Sequence, residues 1–132
     1  SVIFQLPEGR RGIFVGGGAS VRVSRIVGAD RLTEMMLTGR KYGAEDGLAL
    51  GLAHYAVGEG EALAKAREIA ARIASNAPLS NYVMIQALAR IEDMAKADGL
   101  FTESLCTALT QTSPDAREGL EAFLQKRQPA FR

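Results

Sequence analysis

The pattern of this chain changes at Gly58, and that change limits what it can fold into. Before it, short apolar patches alternate with glycines. Residues 1–5 and 13–15 are β-prone, and residues 53–57 (Ala-His-Tyr-Ala-Val) make a third short strand pattern. After it, apolar residues recur almost everywhere at helical spacing. Three short strands are too few to close a sheet by themselves. The expected fold class is therefore α/β, with a mixed front portion at residues 1–57 and a helical back portion at residues 58–132.

Helices are expected in both portions. In the front they cover residues 19–27, stopped by Gly28, residues 29–37, stopped by Thr38-Gly39, and residues 44–50, closed by Gly51. In the back, Leu63, Ala66, Ile69, Ala70 and Ile73 share one face of a helix over residues 61–75. Met84, Leu88, Ile91 and Ala95 share a face over residues 80–97. Asp98-Gly99 then predicts a break, with a further helix over residues 100–110. Ser113-Pro114-Asp115 is a strong helix start, with Ser as N-cap, Pro at the first position and an acid in the first turn.

Composition narrows the function classes. Sixteen basic and 15 acidic residues leave a net charge of +1, so no excess of cations argues for nucleic acid. Cys106 is the only cysteine and His54 the only histidine, which supports neither a disulfide nor a zinc site, and no metal is expected. No run of about 18 apolar residues suggests a membrane span. No leader is visible, and the chain opens directly on a strand pattern, as a domain does when something preceded it. A reduced, cytoplasmic protein is the expectation.

Several residues could carry chemistry. Glu8 follows Pro7, which fixes the backbone, and stands at the end of a strand pattern, where a side chain can be aimed into a cleft. Phe4 and Leu6 flank it and would withhold water from it, which proton transfer at a carbon acid requires. Gly16-Gly17-Gly18 permits close backbone approach, but its spacing is neither a P-loop nor a dinucleotide fingerprint, so a tight turn feeding a helix is the expectation. Arg22 and Arg25 share a helix face and read as a structural ion-pair face. His54, Met35, Met36 and Cys106 read as structural or core residues.

The order and spacing of Phe4, Pro7, Glu8, Gly12, Gly16, Gly18, Arg22, Arg25 and Gly28 resemble the crotonase superfamily of enoyl-CoA hydratases and isomerases. The resemblance continues through Met36-Leu37-Thr38-Gly39, Ala44 and Gly51-Leu52, and ends in Ala122-Phe123-Leu124-Gln125-Lys126-Arg127. It covers essentially the whole chain, but about the second half of the usual family length. It implies the C-terminal part of a ββα spiral core, followed by a helical region for oligomerisation into trimers or dimers of trimers. Two features depart from the pattern. Val15 stands where hydratases usually have Pro, and Ala19 where a further Gly is common.

The resemblance also implies an acyl-CoA thioester as substrate, with no separate cofactor. Two backbone N–H groups form the family's oxyanion hole, and they lie upstream of anything in this chain. Glu8 matches the second of the two glutamates of hydratases. Many double-bond isomerases use a single carboxylate at the same position. Pro7, Gly16 and Gly17 would help shape the acyl pocket. Lys126 would reach the nucleotide end of coenzyme A, often across a subunit boundary, although Thr107 stands where the family places an aromatic partner for that clamp. The leading expectation is an enoyl-CoA hydratase. The alternatives are an isomerase working through Glu8 alone, and a non-catalytic subunit that oligomerises or binds acyl-CoA. The 132 residues by themselves are expected to be inactive without the upstream half.

Overall fold

The computed structural model describes residues 2–131. They form a short 3-10 helix, Glu8–Arg11, and seven α-helices: α1 Ala19–Val27, α2 Ala29–Thr38, α3 Ala44–Ala49, α4 Ala62–Ala74, α5 Pro78–Ile91, α6 Lys96–Gln111 and α7 Pro114–Leu124. The chain divides into two compact units, Ser1–Ala62 and Leu63–Arg132.

In the first unit, α2 is the central element. Helix α1 packs along it and the 3-10 helix packs against its C-terminal end. Leu32 and Met35 of α2 and Tyr42 just beyond it are the buried apolar residues here. The strand patterns do not become a sheet. Among the described residues, the only β pairing outside named strands is an antiparallel bridge between Phe4 and Tyr42, with N···O distances of 2.9 and 3.0 Å. Residues 13–15 and 53–57 are irregular. A strand needs a neighbour to take its N–H and C=O groups, and among the described residues only Phe4 of the expected patches finds one, at a single bridge. The Phe4 ring turns instead onto α3, where a Cβ on Gly47 would lie 2.3 Å from it.

The second unit is built by helix ends and close approach. Pro78 opens α5, and Ser113 caps α7 by accepting from the Ala116 N–H at 3.1 Å, with Pro114 at the first position. The expected break at Asp98-Gly99 is absent. The break falls at residues 92–95, and Gly99 lies buried inside α6. A Cβ on Gly99 would lie 3.4 Å from Ile91, so this glycine lets α6 approach the end of α5 rather than ending a helix. Asp98 belongs to the first turn of α6, where its charge complements the dipole. Helix α7 ends in a Schellman motif: the Lys126 N–H donates to the Phe123 carbonyl and the Arg127 N–H to the Ala122 carbonyl.

Much apolar surface stays open. Phe14, Leu37, Ile85 and Phe123 are each more than 70% exposed. The total accessible surface is 10008 Å². A compact monomer of this mass would expose about 6,700 Å², and two separate domains of half the mass about 8,100 Å² together. The excess is large under either description. Among the described residues no helix is long and apolar enough to cross a membrane.

Candidate active site at Glu8

Glu8 does not end a strand. It opens the 3-10 helix, with Pro7 as its N-cap at φ −91° and ψ 15°. Gly12, at φ 69°, closes the turn, and the Ile13 N–H donates to the Glu8 carbonyl at 3.2 Å. The backbone at Glu8 is therefore fixed by a ring before it and a left-handed residue after it.

The carboxylate is the unusual part. Its Oε2 is buried and accepts no hydrogen bond from the protein. Leaving a buried polar atom unpaired costs about 1–3 kcal/mol, and most such atoms in native proteins are paired. An orphaned carboxylate oxygen in a side chain that is itself half-buried fits a group whose partner is a ligand atom. Phe4, expected beside Glu8, has its ring against Gly47.

The other expected site residues have different reasons for their identity. Gly17 and Gly18 adopt φ of 64° and 79°, so the turn into α1 requires glycine at both. Gly16 accepts from the Ala19 N–H at 3.3 Å, and a side chain on Gly16 or Gly17 would meet open space. The Arg22 guanidinium donates to the Gly17 carbonyl and lies over Gly18. Arg22 thus braces the glycine turn, where an ion-pair face was expected. His54 is exposed in an irregular segment rather than on a strand. Pro7 and Glu8 are neighbours, while Gly16 and Gly17 sit elsewhere in the same unit.

Lys126 belongs to the second unit. It lies beyond α7 rather than in its last turn, with φ 55°, the one non-glycine positive φ among the described residues. For an L-residue that conformation costs about 1–2 kcal/mol. Thr107 and Cys106 line an apolar groove between α5 and α6 with Val83, Leu88 and Ile91. Its volume of about 210 Å³ is below the roughly 300–1,000 Å³ of ligand pockets. Cys106 is half-buried at this groove rather than fully packed.

A polar cluster beside α2 had no sequence signal. The buried Tyr42 hydroxyl donates to Glu34 Oε2, Arg31 pairs with Glu34 at 3.7 Å, and the Arg40 guanidinium stands 4.7 Å from the Tyr42 ring centroid. The hydrogen bond to Glu34, reinforced by burial, holds the Tyr42 hydroxyl above its ordinary titration range.

All of residues 1–132 match the enoyl-CoA hydratase/isomerase family. The chain belongs to that family. It is 33% identical over 129 residues to the 2,3-dehydroadipyl-CoA hydratase of Escherichia coli, covering 98% of this chain and 51% of that protein. It is 33% identical over 135 residues to enoyl-CoA hydratase domain-containing protein 2, mitochondrial, of Bos taurus, covering 99% of this chain and 46% of that one. The enoyl-CoA hydratase structure from Bacillus anthracis superposes with a TM-score of 0.93 at 31% identity, over 99% of this chain and 51% of that chain. The chain thus spans about half the length of the curated relatives it matches. The described residues are mostly helical, and the chain shares the fold of the matching part of that structure.

Proposed function

We propose that the full-length protein is an enoyl-CoA hydratase, and that Glu8 delivers the proton to the α-carbon of the substrate. The observation that carries this reading is the buried, unpaired Oε2 of Glu8 at the family's second carboxylate position. Water adds across the α,β double bond of the thioester. Its oxygen bonds to the β-carbon, one of its protons leaves to a base, and the π electrons move toward the thioester oxygen as an enolate. The enolate then takes a proton at the α-carbon from Glu8. The base and the oxyanion hole would come from the upstream half of the fold. No cofactor enters, since coenzyme A arrives as part of the substrate.

Pro7, Gly16 and Gly17 set the backbone near the acyl group in this reading. Lys126 holds the nucleotide end of coenzyme A in this reading, which rests on its match to the family's lysine near the C-terminal helix; its left-handed backbone belongs to the helix end. The open apolar surface supports coverage by the rest of a ββα spiral and by neighbouring subunits, in a trimer or dimer of trimers.

The test is Glu8→Gln in the full-length protein, assayed on crotonyl-CoA and on a 3-enoyl-CoA. Loss of a positioned proton donor is expected to slow hydration about 10²–10⁴-fold. Undiminished hydration would sink the assignment. Wild-type turnover of the 3-enoyl substrate alone would move the protein to the isomerases, and binding of acyl-CoA without turnover would make it a non-catalytic subunit.

A further inference from the structure

We propose that the C-terminal turn of α2, residues 36–39, is the seat that aims the Glu8 carboxylate, with Gly9 and Gln5 as the positioning residues that fix the 3-10 helix to it. This inference rests on Glu8 being the proton donor of the reaction above.

The need for such a seat follows from the orphaned oxygen. No protein donor holds Oε2, so no hydrogen bond to that atom sets the carboxylate's direction. Its aim has to come from the backbone that carries it. That backbone is tied to α2 on both sides of Glu8. After it, Gly9 lies flush against the helix: a Cβ there would stand 2.6 Å from the Met36 carbonyl oxygen, 3.5 Å from its carbon and 3.6 Å from the Leu37 Cα. These are all backbone atoms of a hydrogen-bonded helix end, which cannot swing aside as a side chain can. Gly9 is not among the positive-φ glycines, so close approach is what requires glycine there.

Before Glu8, the Gln5 Nε2 donates to the Gly39 carbonyl at 2.7 Å, joining residues 34 apart in sequence. Gly39 itself is in the left-handed conformation at φ 60° and ends α2. A Cβ on it would meet the Arg10 Cδ at 2.6 Å and the Pro7 Cα at 3.6 Å, so Pro7 and Arg10 also lie over the same turn. Three residues before the carboxylate and two after it therefore include four points of attachment to one helix end. A methyl group at Gly9 has to lift the 3-10 helix by about 1 Å, and a misplacement of that size in a catalytic site costs about 10²-fold in rate.

The experiment compares wild-type full-length protein with Gly9→Ala, Gln5→Leu and Glu8→Gln on crotonyl-CoA in D₂O. It reads kcat, KM and, by NMR of the product, which face of the α-carbon receives deuterium. Gly9→Ala is expected to lower kcat about 10–100-fold with KM within about twofold, and to deliver deuterium to both faces. Gln5→Leu, which keeps the volume and loses one hydrogen bond, should show the same signature at about 3–10-fold. A misfolded fraction contributes no product, so it lowers kcat without mixing the faces. Single-face labelling in both variants, with Glu8→Gln inactive, overturns the seat and leaves the role of Glu8 standing. If Gly9→Ala does not fold, single-face labelling in Gln5→Leu overturns the seat alone. Full turnover by Glu8→Gln removes the proton donor, and the seat falls with it.

Discussion

The two units solve different problems with similar material. In the first, glycines at positive φ shape the turns, the 3-10 helix that carries Glu8 lies against the end of α2, and a tyrosine–glutamate–arginine cluster ties α2 to the segment after it. In the second, helices lie side by side, Ser113 caps α7, and Ala122 and Gly99 are the unit's only buried residues among those described. The first unit obtains specificity from a few close approaches that tolerate no added atom. The second obtains regular structure from local signals and leaves its apolar faces open. A substitution should therefore matter in the first unit for what it touches, and in the second for what it does to the local backbone.

Gly47→Ala tests the first half of that contrast and carries the largest expected stability effect. The new Cβ would fall 2.3 Å from the Phe4 ring. Better helix propensity returns about 1 kcal/mol, but overpacking costs about 1–3 kcal/mol. A net loss of up to about 2 kcal/mol is expected in denaturant unfolding of the full-length protein. A gain in stability would show that the Phe4 contact is loose.

Lys126→Gly tests the second half. Relief of the left-handed conformation should stabilise the protein by about 1 kcal/mol, while KM for acyl-CoA rises if the lysine holds the nucleotide. An unchanged KM would leave Lys126 a strained helix terminus with no part in binding.

The smallest effect belongs to pH. Tyr42 is raised in the folded protein by its hydrogen bond to Glu34 and by burial. Its folded value therefore lies above its unfolded value of 10.0. The stabilisation is fully present below that pH and is lost as pH rises through the folded value. Melting temperature should fall above about pH 10, and Tyr42→Phe should flatten that alkaline slope. An equally steep slope in the variant would place its origin elsewhere.

What could be read from the sequence follows the same division. Helices α1, α2 and α7 were legible because their stops and caps are local: Gly28, Gly39 and Ser113-Pro114 act within one turn. Asp98-Gly99 misled because its glycine serves contact with Ile91, and a tertiary contact leaves no local pattern. The strand patches misled for a related reason, since β character in a segment says nothing about whether a neighbour is present to pair with. At the candidate site, Pro7 and Glu8 were visible through their spacing to the glycines. The unpaired oxygen, the approach of Gly9 to Met36 and the Tyr42–Glu34 bond were not, because each joins groups that only the folded chain brings together.

The surplus of open apolar surface has a consequence for any measurement on this chain. Whatever covers those faces binds the folded form and not the unfolded one, so covering and folding become linked equilibria. Melting temperature is then no fixed property of the polypeptide. Where a second copy of the chain is the cover, as proposed above, it should climb with protein concentration; where the upstream half of the same polypeptide is the cover, it should not.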